Sequence, residues 1–307
     1  MSLLPDPVLI KEEILPTALD LSVVIVSWNS VELLEECLGA VYEAADGRDV
    51  EVIVVDNAST DGSTDLIRRR FPNAHLIVNP GNMGVSVAFN QGMQAGKGKY
   101  IQMLCSDTIV QPDALDAMTT FLDTHPDVGA IGPKLLYPDG RVQPSCRTFP
   151  TLWTFAWEFL GLSRLFPKHP VFGRWRMGDF DHMTTREVDQ PRGSSLMVRH
   201  AVWEEIGGWD ENLDMFFNDV DWCLRIKEQG WKIFFIPDAV MNHYGGSSVK
   251  KVRPRMILAS HGCCYRFFKK HQSGFLHALA IRMLGVALLF SAGIRYLLAR
   301  LTPSRMA

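Results

Sequence analysis

From Lys250 to the end of the chain there is no Asp or Glu, while 11 Lys and Arg fall in the same stretch. The whole sequence has 31 basic and 34 acidic residues, so the part before Lys250 keeps 20 against 34. An acidic body therefore carries a basic tail, and such a tail points to an anionic partner, a membrane surface or a nucleic acid. Other absences narrow the chemistry. The six cysteines, at 37, 105, 146, 223, 263 and 264, form no CxxC pair and show no disulfide or zinc spacing, which fits a reducing cytosol. No GxGxxG or GxxxxGK[ST] loop follows the first apolar run, which argues against a dinucleotide-dependent oxidoreductase and a P-loop NTPase. The GxSxG elbow of α/β-hydrolases is also missing. The opening residues, MSLLPDPVLIKEEILP, lack the basic-then-apolar order of a signal peptide. In the tail, uncharged residues run only from Met283 to Ile294, 12 positions where a spanning helix needs roughly 20.

What the sequence does contain is alternation. LSVVIVSW (21–28) and VEVIVVDNAST (50–60) are β-branched runs of the kind buried on both faces of a sheet. Shorter strand patterns follow at 74–79 and 100–104. Helical patterns lie between them, at 31–41, from Asp61 and at 84–95, with another after Pro112. This order predicts a parallel, doubly wound α/β sheet. Ligands of such sheets bind beyond the carboxyl ends of the strands, where Ser27, Asp56, Asn79 and Asp107 fall together on one edge. The second half is less regular. It predicts an aromatic helix at 151–166, strands at 194–200 and 231–237, and a helix at 218–230 closed by Gly230.

A spaced set of motifs carries a resemblance: VIVSWNS, VVDNASTDGS, NMGVSVAFNQG, CSDT, GGWDENLDMFFNDVDWCLR and MNHYGGSS. From about Leu21 to Ser248 the set resembles the inverting family 2 glycosyltransferases of GT-A fold, in the branch that includes bacterial rhamnosyltransferases. The resemblance implies a GT-A (Rossmann-like), mostly parallel sheet flanked by helices. Its donor is a nucleoside-diphosphate sugar, with dTDP-L-rhamnose favoured over a UDP- or GDP-sugar. Its acceptor is a saccharide, carried on a polyprenyl lipid in surface-polysaccharide or cell-wall assembly. A non-catalytic module that binds a nucleotide sugar or a saccharide is the alternative.

The roles come with the resemblance. Asp56 would contact the nucleotide base, with Ser27, Asn29 and Asn57 beside it. Asn82, Gly84 and Asn90 would close over the nucleoside, although Asn90 by its spacing could equally bond within its own helix. Asp107 would hold a divalent cation, Mg²⁺ or Mn²⁺, on the departing diphosphate, with His243 completing the site. Here CSD replaces the usual DxD, so the first carboxylate is missing, and Cys105 is read as a small residue at a strand end, not a ligand. Asp219 would be the general base. Asn218 stands where relatives carry Glu, and loss of that anion is expected to lower the Asp219 pKa. Asp221, on another face of the helix, is expected to pair with Arg225. Trp209 and Asp210 would form the acceptor-side loop, Trp209 either stacking on a sugar or serving as a core aromatic.

The expected domains are an N-terminal extension (1–20), the transferase domain (21–249) and a basic, membrane-associating helical tail (250–307). Arg282 and the short uncharged run favour a helix lying in the interface of an anionic membrane over one that spans it, and the absence of acids over 58 residues argues against one docked on the domain. The tail's aromatics are not interleaved with its basic residues, so no nucleic-acid partner is expected. The enzyme would sit in the cytoplasm, peripheral at the inner face of the cell membrane. A cut at Arg266 is expected to leave the catalytic domain folded.

Overall fold

Consecutive residues of the β-branched runs point to opposite faces, and each face has its own core. Val23, Ile25, Val52 and Val54 enter one apolar cluster, while Val24, Ile53 and Val55 enter the other. The structure is a computed structural model describing residues 19–45, 47–213, 215–245, 253–271 and 275–301. Most of the expected N-terminal extension, and Lys250 and Lys251 of the basic tail, lie outside the described residues.

Four strands run parallel in the order β3 (His75–Val78), β2 (Val50–Asp56), β1 (Leu21–Ser27), β4 (Tyr100–Cys105). Next to β4 comes β10 (Ser195–Arg199), which is antiparallel to it. Then follow β6 (Val128–Leu136) and β11 (Lys232–His243), parallel to each other. β5 (Thr108–Val110) closes that edge, antiparallel to the end of β11. This is the mostly parallel α/β sheet expected, with β10 reversed. Helices α1 (Val31–Ala44) and α4 (Ala114–Thr124) supply apolar residues to one core. Helices α3 (Val85–Ala95), α7 (His200–Ile206) and α8 (Asn218–Glu228) supply the other. A separate two-stranded ladder joins β7 (Cys146–Arg147) to β9 (Gln190–Pro191).

Three features depart from the sequence reading. The long strand β6 was not foreseen, because Gly129, Gly132 and Pro133 interrupt its pattern. The glycines are there for close packing: a side chain at Gly129 would meet Trp231, and one at Gly132 would meet Pro191. The helix expected at 151–166 is two short ones, α5 (Leu152–Phe159) and α6 (Leu162–Leu165), parted by Gly161 at φ 76°. Thr151 and Thr154 form a capping box that starts the first.

The third departure concerns the tail. Its first helix, Arg253–His271, docks on the catalytic body. Cys263, Cys264, Phe267 and Phe268 are buried with Leu213 and Val220, against Phe155, Phe216 and Phe217. The basic residues that suggested a membrane-associating tail are partly spent on the domain. Lys270 pairs with Asp210 and Asp221, His271 with Asp221, and Arg266 donates to the Asn212 carbonyl. The outer helix, Phe275–Leu301, lies on this docking helix through Ile281, Leu288 and Ala292.

Truncation tests this directly. Each buried Phe contributes about 1.5–3 kcal/mol, so losing Phe267 and Phe268 alone approaches the whole stability margin of about 5–15 kcal/mol. A cut at Arg266 should therefore give insoluble or unfolded protein, and a cut after His271 a soluble, folded one, as judged by recovery and circular dichroism.

Candidate active site

The carboxyl edge of β1, β2 and β4 is stitched together by side chains from the loops that follow them. Ser27 and Asp56 sit opposite each other in register. The Ser27, Ser30 and Ser106 hydroxyls form a chain, with 3.3 and 2.7 Å between oxygens. Asn29, at φ 49°, accepts from the Thr60 N–H through Oδ1 and donates its own N–H to Ser59 Oγ. The Asn57 Oδ1 accepts from Asn79, which exchanges a second pair of bonds with Gln91. Asn82 Oδ1 accepts the N–H of Gly84, whose φ of 89° and ψ of 162° suit glycine alone, and Asn57 donates to the Gly84 carbonyl. Within this frame Asp56 is fully buried. Its Oδ1 accepts from the Ser59 N–H at 2.8 Å, but Oδ2 has no partner among the described residues. An unsatisfied buried carboxylate oxygen is costly, and a ligand N–H is the group that would satisfy it.

Asp107 follows Ser106 in the two-residue turn between β4 and β5. The register of β5 with β11 sets Thr108 against His243, and the Tyr244 N–H donates to the Asp107 carbonyl. Asp107 and His243 are both buried, with His243 Nε2 3.5 Å from Asp107 Oδ1. Gln143 Oε1 accepts from Arg192 at 3.3 Å and lies 2.7 Å from His243 Nδ1. An oxygen there requires Nδ1 to carry the proton, which leaves the Nε2 lone pair facing a carboxylate. Burial lowers the His243 pKa, Asp107 pulls it up, and Arg192 lowers it further; the net shift is downward, so the ring is neutral at neutral pH. Two acceptors facing one another leave a gap that suits a cation. Among the described residues no cluster of three or more His, Cys, Asp or Glu could hold a metal, so this pair would offer two ligands and a bound phosphate the rest. Cys105 stays a thiol, its pKa pushed well up by burial and by Asp107.

Asp219 sits in the first turn of α8, held by donors on both oxygens. Gln190 Nε2 and the Gly193 N–H reach Oδ2 at 2.8 and 3.0 Å, and the Val220 N–H reaches Oδ1 at 2.9 Å. A side chain at Gly193 would crowd Asp219, so the close N–H contact needs glycine there. Asp219 lines a cavity of about 290 Å³ with Ser145, Arg147, Trp175, Gln190, Arg192 and residues 216, 217 and 220. Burial raises its pKa above the ordinary 3.8, outweighing the Gly193 and Val220 N–H groups and Arg192, which lower it. The expected lowering by Asn218 is thus overturned by desolvation, the larger effect. Asn218 itself turns away, donating to Ser86 Oγ.

Three residues expected at the ligand face are engaged elsewhere. Asn90 clasps the Trp209 backbone, accepting its N–H at 2.8 Å and donating to its carbonyl at 2.9 Å, so its side chain braces a loop and does not face a nucleoside. Trp209 is buried between Phe89 and Trp222, a core aromatic with no open stacking face. Asp210 pairs with Lys270 of the docking helix. Asp221 pairs with Arg225 as expected, and in addition with Lys270 and His271. Sequence reasoning missed Gln143, Arg147, Gln190, Arg192 and Gly193. The signal for Gln190, Arg192 and Gly193 was QPRG ahead of a strand: because β10 runs backwards, its amino end lies where its neighbours end, whereas Gln143 and Arg147 carried no such signal.

The chain matches the family described as Glycosyltransferase like family 2 over residues 17–257. It belongs to that family. This glycosyltransferase is 29% identical over 269 residues to the N-acetylglucosaminyl-diphospho-decaprenol L-rhamnosyltransferase of Mycobacterium tuberculosis, a match covering 84% of this chain and 87% of the relative. It is 26% identical over 222 residues to the glucosyl-dolichyl phosphate glucuronosyltransferase of Haloferax volcanii, covering 69% and 63%. In fold it is similar to the mannosyltransferase PcManGT of Pyrobaculum calidifontis, solved with GDP-Man and Mn²⁺, with a TM-score of 0.56, 20% identity, and 94% and 78% of the two chains covered. It is also similar to S. aureus TarS 1-349, with a TM-score of 0.52, 17% identity, and 89% and 72% covered. The fold is that of the GT-A glycosyltransferases.

The Asp221 cluster generates a stability prediction. Burial would raise this carboxyl, but His271, Lys270 and Arg225 outweigh it and hold the pKa at about 2. Its contribution is therefore present above the ordinary 3.8 and lost as the pH falls toward about 2. Asp221→Asn should destabilise the protein by roughly 3 kcal/mol, since it strands partly buried cations. It should also flatten the acid side of the melting-temperature profile; an unchanged profile would mean that the cluster contributes nothing.

Proposed function

We propose that this glycosyltransferase moves a sugar, with inversion, from a nucleoside-diphosphate donor to a saccharide carried on a polyprenyl diphosphate, and that the donor is dTDP-L-rhamnose. The observation that carries the reading is the position of Arg192, which lies beside Asp219 and bonds the Gln143 oxygen that orients His243, so a base and an Asp–His pair share one site. The relative named for rhamnosyl transfer to a decaprenol-linked sugar supports the donor and acceptor.

In this mechanism the buried Oδ2 of Asp56 accepts the imide N–H of the base, as thymine or uracil would present it. Asp107 and His243 would hold Mg²⁺ or Mn²⁺, which when bound neutralises charge developing on the departing diphosphate. Asp219 takes the proton of the acceptor hydroxyl as that oxygen bonds to the anomeric carbon and the bond from that carbon to the diphosphate breaks. Its raised pKa makes it a stronger base than an exposed aspartate.

Two apolar surfaces support work at a membrane. No helix among the described residues is long and apolar enough to cross one. Yet the outer helix shows Leu279, Met283, Val286 and Leu289 on the face opposite Ile281 and Leu288, and the last three of these are 67–76% exposed. Arg282 lies among them, as in a helix resting at a headgroup layer. Beside the docking helix, α5 and α6 expose Trp153, Leu160 and Leu165. We place the enzyme in the cytoplasm, at the inner face of the membrane. Protein cut after His271 should then lose flotation with anionic liposomes; undiminished flotation would move the anchor to α5 and α6.

A panel of nucleotide sugars with a prenyl-diphosphate-linked N-acetylglucosamine tests the reaction. dTDP-L-rhamnose should be turned over, EDTA should abolish transfer, and Asp56→Ala should weaken nucleotide binding by about 1.5–3 kcal/mol. Turnover of a UDP- or GDP-sugar alone would replace the donor, and full activity in EDTA would remove the metal.

The acid limb of kcat/KM should fall above pH 3.8, with rate rising as Asp219 ionises. Asp219→Asn should cut transfer by about 10²–10⁴-fold and leave nucleotide affinity unchanged. Near-normal turnover in that variant would assign the base elsewhere.

A further inference from the structure

The cavity beside Asp219 has a charge that the reaction as drawn does not use. Arg147 and Arg192 both line it. Neither makes an ion pair with a carboxylate among the described residues, whereas Arg48, Arg176 and Arg225 each do. Arg147 donates only to the carbonyls of Pro144 and Cys146, at 3.2 and 2.6 Å, and Arg192 to the Gln143 oxygen. The nearby acids are already engaged: Glu158 pairs with Arg176, Asp189 with Lys227, and Asp219 has its three N–H donors. Burial, then the charges of Arg192 and Arg176, pull the Arg147 guanidinium down to about 10. An anion bound there would relieve the crowding of like charges.

The backbone holds the two arginines in place. Arg147 is in β7 and pairs in register with Gln190 of β9, two residues before Arg192. The opposite wall is aromatic, with Trp175, Phe216 and Phe217. Phe155 of α5 stacks at a tilt on both Trp175 and Phe217, with ring centroids 5.6 and 5.9 Å apart. The same short helix exposes Trp153, which is 72% accessible. Trp153 stacks on Trp157 and lies about 200° round the helix from Phe155, so α5 has one side packed against the cavity wall and the other open and apolar. At about 290 Å³ the cavity is at the small end of the roughly 300–1,000 Å³ usual for ligand sites, room for one headgroup and not for a lipid chain.

We propose that Arg147 and Arg192 bind the diphosphate of a prenyl-diphosphate acceptor, with the prenyl chain leaving past the aromatic wall toward the apolar side of α5. This deepens, and rests on, the lipid-linked acceptor reading. Guanidinium forks suit phosphate oxygens, and a pair of them suits a diphosphate. The donor's diphosphate is assigned to the adjoining Asp107–His243 pair, which Gln143 links to Arg192 but which does not itself line this cavity.

Binding and turnover separate the possibilities. Farnesyl diphosphate is titrated into the full chain in EDTA, so that no cation recruits it to the Asp107–His243 pair, with farnesol as the uncharged control. Arg147→Gln and Arg192→Gln should each weaken farnesyl diphosphate binding by about tenfold or more, as expected for a lost charge-assisted bond, and leave farnesol unaffected. Arg147→Lys and Arg192→Lys should retain part of the affinity, and they carry the test if a Gln variant fails to fold. In turnover, the Gln variants should raise KM for a farnesyl-diphosphate-linked N-acetylglucosamine far more than KM for its octyl glycoside. Unchanged binding, or equal loss for both acceptors, overturns the proposal. A loss confined to nucleotide affinity with Mn²⁺ also overturns it, and gives the arginines to the donor. If the wild type glycosylates no lipid acceptor yet binds farnesyl diphosphate through these arginines, the function proposed above fails and the anion site stands.

Discussion

A carboxylate with no exposed surface, Asp221, holds α8 to the rest of the protein. Three side chains reach it, Arg225 from its own helix and Lys270 and His271 from the docking helix. Burying an anion costs several kcal/mol unless it is paired this fully, so the helix and the docking segment have one low-energy arrangement. The first turn of α8 inherits that precision. Phe217, just before it, has φ 64°, a rare conformation for a bulky residue, and is wedged by Phe155 and Phe267. Asp219 follows two residues on and points into the cavity. The placement of the candidate base therefore depends on residues about fifty positions later in the chain.

The site divides by polarity. Toward the ends of β1 and β2 it presents hydroxyls, amides and the open oxygen of Asp56. At β5 and β11 a neutral imidazole faces a carboxylate. Past Gln143 the character turns cationic and aromatic. Gln143 lies at the border, since one oxygen serves both His243 and Arg192.

The first half was legible because β1, β2 and β4 are buried on both faces, so apolar runs marked them and their ends marked Ser27, Asp56 and Asp107. The second half was not, for identifiable reasons. β6 is interrupted by glycines that serve packing against Trp231 and Pro191, and β10 reverses, which brings Arg192 and Gly193 to an edge where strand starts were not expected. Asn90 and Trp209 have chemistry suited to a ligand, but the partners that occupy them are more than a hundred residues away in sequence for one, and in the core for the other. The tail misled for a related reason. A stretch without acids reads as membrane-associating, yet its Lys270 pairs with Asp210 and Asp221 and its His271 bonds Asp221. Periodicity shows which face of a helix is apolar; it does not show what that face or its charges meet.

The bond between Asp221 and His271 spans fifty residues of sequence. On a ribosome the chain emerges from its amino end, and segments fold as they appear. When α8 leaves the exit tunnel, Asp221 has Arg225 alone, and the aromatic wedge around Phe217 lacks Phe267. The Rossmann-like half can assemble once β11 has followed, since among the described residues its core draws on nothing downstream of that strand. Helix α8 cannot settle until residue 271 is free of the tunnel. The edge at β1 and β2 can thus form before the candidate base is fixed, and the two halves of the candidate site are joined only once the docking helix has emerged.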